Sequence, residues 1–98
     1  MVHVLFQCKV PSVDRWKQLF ASAFNQRAAA GEISNRIFCA HERGEHIVVM
    51  FTWNSAQQAA QFFDSEFWRG LLREAGATEV PERLILNEMR ALHLTAAD

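Results

Sequence analysis

The chain has 98 residues, of which half are hydrophobic and 21% are charged, and its formal net charge is −1. This composition excludes a disordered chain, and the length predicts a single domain over residues 1–98 with one hydrophobic core. Because basic and acidic residues balance and form no cluster, we expect no nucleic-acid partner. No apolar run reaches the ~20 residues of a membrane span, and residues 1–10 lack a signal-peptide pattern, so we expect a cytoplasmic protein without a membrane partner.

The first predicted strand covers residues 2–10, where apolar and polar positions alternate. One face carries Val2, Val4, Phe6, Cys8 and Val10. The other face carries His3, Leu5, Gln7 and Lys9. We expect both cysteines of the chain, Cys8 and Cys39, to be small buried residues on strands, with a reactive thiol as the alternative.

A helix is predicted after Pro11, because Ser12 is a good N-cap and Asp14 in the first turn suits the helix dipole. Apolar residues then recur at intervals of three and four, as on the buried side of a helix. They are Val13, Trp16, Leu19, Phe20, Ala23 and Phe24. Gly31 is predicted to end this helix.

The middle of the chain predicts a β-hairpin. Residues 33–41 and 46–53 have the composition of strands, and residues 42–45 form a short turn that contains Gly44. The second strand of the hairpin includes an unbroken apolar run over residues 47–51, which predicts burial on both faces.

A second helical region follows the hairpin in two parts. Residues 56–63 form the first part, Asp64 and Ser65 interrupt it, and residues 66–75 form the second part before Gly76. A last strand is predicted over about residues 83–92, after the link that contains Pro81.

This element order predicts an α+β fold of the ferredoxin-like βαββαβ type, a four-stranded antiparallel sheet with two helices on one face. The face away from the helices is also apolar, since the first strand places Leu5 there and the last strand is expected to add Ile85 and Met89 opposite Leu84 and Leu86. An uncovered apolar face of this size is typical of an interface, so we expect the chain to pair with itself as a homodimer.

The order and spacing of residues along nearly the whole chain also resemble a known family. In the first half the matching positions are Cys8, Lys9, Val10, Asp14, Trp16, Phe20 and residues 27–31. In the second half they are residues 48–53, Ala59, Phe62, Ser65, Ala75, Gly76 and Pro81. The chain resembles the dimeric α/β-barrel superfamily, and within it the small antibiotic-biosynthesis-monooxygenase-like proteins of bacteria. The resemblance implies a dimeric α/β barrel with a small-molecule cavity between the helices and the sheet of each subunit.

Candidate residues for such a cavity are Trp53, Trp68, Phe24, Phe63 and Arg36. The two tryptophans combine an apolar ring with an indole N–H that needs an acceptor, although the aromatic side chains can equally fill the space as core. Arg36 can hold a carboxylate or phenolate, or it can be a charge that protects an edge strand. No residue is assigned a catalytic role.

We expect no metal and no cofactor. The four histidines, His3, His41, His46 and His93, share no metal-ligand spacing. The haem-degrading branch of the superfamily has a Trp and an axial His on the second helix, and alignment on Ser65 places Phe62 and Leu72 at those positions. Cys8 falls near the position where that branch has an Asn on the first strand.

The sequence and the resemblance together favour a homodimer that handles a small hydrophobic or aromatic molecule. The resemblance implies a cofactor-independent monooxygenase-like enzyme that acts on an aromatic or polyketide-like compound. The alternative is a non-enzymatic ligand-binding or interaction protein with the same barrel. An open cavity with Trp and Arg side chains directed into it would favour the enzyme, and a cavity filled by aromatic rings would favour the alternative.

Overall fold

The computed structural model describes residues 1–40, 43–77 and 82–89. These residues form, in order, β1 (Val2–Lys9), α1 (Val13–Ser22), α2 (Phe24–Ala30), β2 (Glu32–Ala40), β3 (Arg43–Trp53), α3 (Ala56–Phe63), α4 (Glu66–Ala75) and β4 (Glu82–Leu86). The strands form one antiparallel sheet in the order β2-β3-β1-β4. The predicted α+β, ferredoxin-like fold with a four-stranded antiparallel sheet is confirmed.

All four helices pack on one side of the sheet, and the core lies between these two layers. The predicted alternation in β1 is confirmed, because Val2, Val4, Phe6 and Cys8 are buried on this side together with Val10 beyond the strand. Their partners on β3 are Ile47, Val49, Phe51 and Trp53. The helices contribute a second set of buried residues, which includes Trp16, Phe20, Phe62, Phe63, Trp68 and Leu71.

The first helical region is divided at Ala23, which the sequence did not predict. Ser12 caps α1 as expected, since its side chain accepts a hydrogen bond from the Arg15 N–H at 3.1 Å. At the break, the Ala23 N–H bonds to the carbonyl of Phe20, and the same carbonyl accepts a hydrogen bond from the buried Arg27 side chain. Arg27 therefore donates a hydrogen bond to a carbonyl near the end of α1 and so holds α2 against α1.

The predicted interruption of the second helical region is confirmed. Ser55 caps α3 and Ser65 caps α4, each accepting a hydrogen bond from a backbone N–H three residues later. Gly76 ends α4 in the left-handed conformation with φ 74°. A Cβ at this position would lie 3.1 Å from Cγ of Pro11, so the close approach of these two loops also favours glycine.

Two predicted boundaries were wrong. Gly44 and Glu45 belong to β3 rather than to a turn, because β3 begins at Arg43. The last strand ends at Leu86, and residues 87–89 are not part of it. The predictions for residues 41, 42, 78–81 and 90–98, including Pro81, lie outside the described residues.

The face of the sheet away from the helices, here called the open face, carries an apolar patch. Residues directly opposite each other in antiparallel strands share a face, so the register places six apolar side chains on it. They are Leu5, Val48, Met50, Phe38, Leu84 and Leu86. Leu84 is 56% exposed and Phe38 is 44% exposed.

The expected place of Ile85 and Met89 on this face was wrong. Ile85 pairs with Val4 on the helix side, and Met89 lies beyond the end of β4 with 85% exposure. Leu84 and Leu86 occupy the open face instead, because the register of β4 sets Leu84 opposite Leu5. The open face is therefore apolar as predicted, but through the other set of β4 residues.

The two cysteines differ in burial. Cys8 is buried, and burial raises the pKa of its thiol to about 11, so the thiol stays protonated at neutral pH. Cys39 is exposed, which corrects the expectation that both are buried. Cys39 lies near the end of the edge strand β2, and its Sγ donates a hydrogen bond to the carbonyl of Gly44 at 2.8 Å.

Candidate functional site

Most of the space between helices and sheet is filled by aromatic rings. Trp16 stacks on Phe20 with ring centroids 4.8 Å apart, and both rings are buried. Trp53 is fully buried and its ring lies 5.3–5.4 Å from the rings of Phe62 and Phe63. These rings give the domain its core, so Trp16 and Trp53 act in the first place as packing residues. By the criterion stated above, this filled part of the space favours the non-enzymatic alternative, and only the open cleft beside it favours the enzyme.

One side of this aromatic core remains accessible as a cleft of about 320 Å³. The cleft lies where α3 and α4 meet the β1–β4 side of the sheet, and we call it the Trp68 cleft. Its lining residues are Phe6, Phe63, Asp64, Trp68, Arg69, Leu72 and Arg83. Apolar rings form its inner wall, and an acid and two arginines are its charged groups.

The inner wall is held rigidly by packing. The ring of Trp68 meets the rings of Phe6 and Phe63 edge to face, with centroids 5.3 and 5.2 Å apart. Ser65 fixes the start of α4 below it, since the Ser65 hydroxyl accepts a hydrogen bond from the backbone N–H of Trp68 at 3.2 Å. The flat face that the cleft presents is therefore set by local helix capping and by the aromatic core behind it.

The charged side chains of the cleft are an ion pair and a second arginine. Arg83 on β4 reaches Asp64 at the end of α3, with Nη2 2.9 Å from Oδ1. Arg69 is exposed on α4. The indole N–H groups of Trp16, Trp53 and Trp68 are all buried, and no acceptor for any of them lies among the described parts of the chain. A buried donor without a partner costs free energy, which an acceptor on a bound molecule would relieve.

The structure brings together only part of the predicted set of cavity residues. Trp68 and Phe63 line the cleft, and Trp53 packs directly behind Phe63. Phe24 is 59% exposed at the start of α2. Arg36 is exposed on the open face opposite Met50, with its guanidinium 5.5 Å from the ring centroid of Phe38.

Sequence reasoning missed the charged residues of the cleft. Arg83 pairs with Phe6 in the sheet and so belongs to the helix side of β4. The signal was present, because an arginine at a position that faces a core is unusual unless it reaches a pocket or a partner. Asp64 was identified only as part of a helix interruption, and Arg69 only as a helix residue.

A second groove, of about 590 Å³, runs along the outer side of α1 and α4. Phe67, Leu19 and Leu71 contribute its apolar surface. Its charged side chains are engaged with other side chains, since Arg73 pairs with Glu66 at 2.6 Å and Glu74 pairs with Arg15 at 3.4 Å. The Trp68 cleft is the better candidate because it combines a rigid aromatic wall with the exposed guanidinium of Arg69.

Within residues 1–40, 43–77 and 82–89, no group of three or more His, Cys, Asp or Glu side chains is placed to hold a metal ion. His41 and His93 lie outside these residues. Of the helices that the structure describes, none has both the length and the apolar character of a membrane span. Leu72, which stands where the haem-degrading pattern has its axial His, lines the cleft with an apolar side chain.

Comparison with known proteins identifies the fold. A protein described as an antibiotic biosynthesis monooxygenase superposes with a TM-score of 0.72 over 92% of this chain and 100% of its own, at 12% identity. SnoaB, a cofactor-independent oxygenase from Streptomyces nogalater, superposes with a TM-score of 0.71 over 95% and 97%, at 12% identity. A conserved protein from Methanosarcina mazei Go1 gives 0.71 over 90% and 92%, at 15% identity.

No family model matches the sequence, and no curated protein matches it. The structural likeness nevertheless covers almost the whole chain. The fold predicted from the resemblance, that of the antibiotic-biosynthesis-monooxygenase-like proteins, is therefore confirmed. At identities of 12–15% the likeness shows the fold alone.

Proposed function

We propose that this protein is a homodimeric, cofactor-independent monooxygenase-like enzyme that acts on an aromatic or polyketide-like compound bound in the Trp68 cleft. The observation that carries the proposal is the aromatic wall of the Trp68 cleft, formed by Phe6, Phe63 and Trp68, with Arg69 and Arg83 beside it. SnoaB, which shares the fold, is a cofactor-independent oxygenase and supports this class of chemistry.

Binding in the cleft follows from the shape and polarity of its walls. The rings of Phe63 and Trp68 favour a planar aromatic compound. Burial of its apolar surface and stacking or edge-to-face contacts with these rings contribute favourable free energy of binding. A carbonyl or hydroxyl oxygen on that compound accepts a hydrogen bond from the Arg69 guanidinium, and a cleft of about 320 Å³ accommodates a compound of a few fused rings.

The chemistry relies on the substrate as the source of electrons. A phenolic compound that loses its proton becomes electron-rich enough to reduce O₂ without a cofactor. One oxygen atom then forms a carbonyl at a ring carbon that loses its hydrogen, and the other oxygen atom leaves as water. The guanidinium groups of Arg69 and Arg83 favour the phenolate by charge, and the apolar wall limits competing water.

The homodimer is supported by the open face. Six apolar side chains cover it, and Leu84 and Phe38 are about half exposed in the single chain. A second copy of the same face is self-complementary about a two-fold axis and covers both patches at once. We expect this interface to bury more than ~1,000 Å² in total, as stable interfaces do.

The dimer is tested by sedimentation equilibrium at micromolar concentration. The expected result is a dimer that Leu84→Glu converts to a monomer, because the substitution places a charge in the apolar patch. Phe24→Glu is the matched control, since Phe24 is exposed to a similar degree (59% against 56%) but lies on a helix. A wild-type protein that is monomeric at these concentrations refutes the interface.

Ligand binding is tested by quenching of tryptophan fluorescence with a panel of phenols, quinols and naphthoquinones. We expect saturable binding that weakens in Trp68→Phe, which removes the indole N–H and keeps an aromatic ring. Trp16→Phe is the control, because Trp16 stacks on Phe20 and is not among the lining residues of the cleft. Equal affinities in both variants would place the binding site elsewhere.

Turnover is tested with an oxygen electrode and the compounds that bind. We expect oxygen uptake without added cofactor, reduced in Arg83→Gln and retained in Arg15→Gln, whose guanidinium pairs with Glu74 in the outer groove. Saturable binding without oxygen uptake for any compound would favour the alternative function, a ligand-binding protein. No binding at all would favour an interaction protein.

A further inference from the structure

The charged side chains of the Trp68 cleft leave one positive charge without a counter-charge. Asp64 and Arg83 neutralise each other, since Nη2 of Arg83 lies 2.9 Å from Oδ1 of Asp64. Arg69 is the third charged residue of the lining, and it is exposed on α4. Among the residues that the structure describes, no acidic side chain forms an ion pair with Arg69. With two arginines against one aspartate, the cleft carries one excess positive charge.

The nearest acid along the same helix is already engaged. Glu66 precedes Arg69 by three residues, a spacing at which the side chains of a helix can meet. Its carboxylate pairs with Arg73 instead, with Nη2 of Arg73 2.6 Å from Oε2 of Glu66. Arg73 lies on the outer groove and is not among the lining residues of the cleft. The charge of Arg69 is therefore available to a molecule that binds in the cleft.

Arg69 lies beside the aromatic wall. It follows Trp68 directly on α4, and both residues line the cleft. A guanidinium is a planar group with five N–H donors, and it binds a carboxylate through two parallel hydrogen bonds. A flat ring against Phe63 and Trp68, with a carboxylate at its edge, would therefore contact the wall and balance the charge. A carboxylate on Arg69 also leaves donors for the ring oxygen in the proposed reaction.

We propose that the Trp68 cleft is specific for aromatic compounds that carry one carboxylate, which Arg69 binds, and that Asp64 excludes compounds with a second negative charge. The proposal rests on the binding of an aromatic compound in this cleft, proposed above, and names its class. One carboxylate balances the excess positive charge. A second one adds to the charge of Asp64, and like charges in a partly dehydrated cleft repel more strongly than in water.

The expected selectivity is measured with three probes that share a naphthalene ring. They are 2-naphthamide, which is neutral, 2-naphthoate, which has one charge, and naphthalene-2,3-dicarboxylate, which has two charges at one edge. The wild type should bind 2-naphthoate about 10-fold more tightly than 2-naphthamide, because a charge-assisted hydrogen bond is about twice as strong as a neutral one. It should bind the dicarboxylate no more tightly than 2-naphthoate, because Asp64 opposes the second charge.

The test is isothermal titration calorimetry of the whole chain at neutral pH and low ionic strength. Arg69→Gln should remove most of the preference for 2-naphthoate over 2-naphthamide. Asp64→Asn removes a charge but keeps an oxygen that can accept from Arg83, so the affinity for the dicarboxylate should rise about 10-fold while that for 2-naphthamide stays the same. Arg73→Gln is the matched control on the same helix, and it should leave all three affinities unchanged.

Equal affinities of the wild type for 2-naphthoate and 2-naphthamide overturn the charge selection and leave aromatic binding in the cleft intact. A preference that survives Arg69→Gln overturns the assignment to Arg69, and an affinity for the dicarboxylate that Asp64→Asn does not change overturns the role of Asp64. Selective binding without oxygen uptake supports this inference and refutes the monooxygenase. No binding of any probe overturns the inference together with the proposed binding in the cleft, so the two failures are distinguishable.

Discussion

Replacing Arg27 by methionine is expected to destabilise the domain severely. Arg27 is 2% exposed, and its Nε lies 2.6 Å from Oε1 of Glu32. The guanidinium also donates to the carbonyl of Phe20 and lies 3.6 Å from the centroid of the Phe20 ring. Methionine keeps an apolar chain of similar length but provides neither the charge nor the donors.

The magnitude follows from what the substitution leaves behind. The Glu32 side chain is 5% exposed and would retain only the hydrogen bond from Nδ2 of Asn35, at 2.9 Å, among the described contacts of its carboxylate. Removing one partner of a buried ion pair typically costs about 3–5 kcal/mol. Because the free energy of unfolding of a domain is about 5–15 kcal/mol, Arg27→Met removes a large share of it.

The double variant Arg27→Met/Glu32→Gln measures the interaction energy between the two side chains, apart from the effect of each single substitution. Glutamine removes the uncompensated charge, so the double variant should be less destabilised than the sum of the two single variants, by at least ~1 kcal/mol. The assay is equilibrium unfolding in urea at one fixed protein concentration, since association also contributes to stability.

Glu66 and Arg73 provide the matched control. Their ion pair has the same 2.6 Å separation, but the side chains are 75% and 67% exposed. The hydrogen bond and the charge of Arg73 hold the pKa of Glu66 below its usual value, yet we expect Arg73→Met to leave the unfolding midpoint nearly unchanged. If Arg27→Met is no more destabilising than this control, the buried pair does not hold α2 in place.

Three further predictions concern the core, the cysteines and haem. Trp16→Ala should lower the free energy of unfolding by roughly 3–5 kcal/mol, because the ring is fully buried, and a change below ~1 kcal/mol in denaturant melts would contradict this burial. Cys39 should react quickly with a thiol reagent in the native protein and Cys8 only on unfolding. Because the pKa of Cys8 is raised to about 11 in the folded state, stability should fall as the pH rises from about 9 to about 11, and Cys8→Ala should remove that loss. Purified protein mixed with haem should develop no Soret band, since Phe62 and Leu72 stand where the haem-degrading pattern has a Trp and its axial His. A Soret band that is lost in Leu72→Ala would contradict this and show that haem occupies the cleft.

Local signals determined most of the fold. Alternation in β1, the cap Ser12, the interruption at Asp64 and Ser65, and the stops at Gly31 and Gly76 each depend on a few neighbouring residues, and all were predicted. These features are readable because side-chain period and capping act within one or two turns of the chain. The order of elements then restricted the topology to the observed antiparallel sheet.

Features that depend on register and on distant contacts were decided by the tertiary structure. The sequence did not show whether Ile85 or Leu84 faces the helices, because β4 is apolar at both positions and only its pairing with β1 sets the face. The break at Ala23 likewise depends on Arg27 reaching back to the carbonyl of Phe20.

The residues of the candidate site likewise fall into those that the sequence predicted and those that only the folded chain brings together. Trp68 and Phe63 were predicted from residue type and helix position, and both line the cleft. Arg83 and Asp64 were not predicted, because they are 19 residues apart and meet only when β4 pairs with β1 beneath α3. The sequence by itself determined which residues are apolar, aromatic or capping, whereas the packing of the helices on the sheet decided which charges meet at the cleft, since a contact between distant residues exists only in the folded chain.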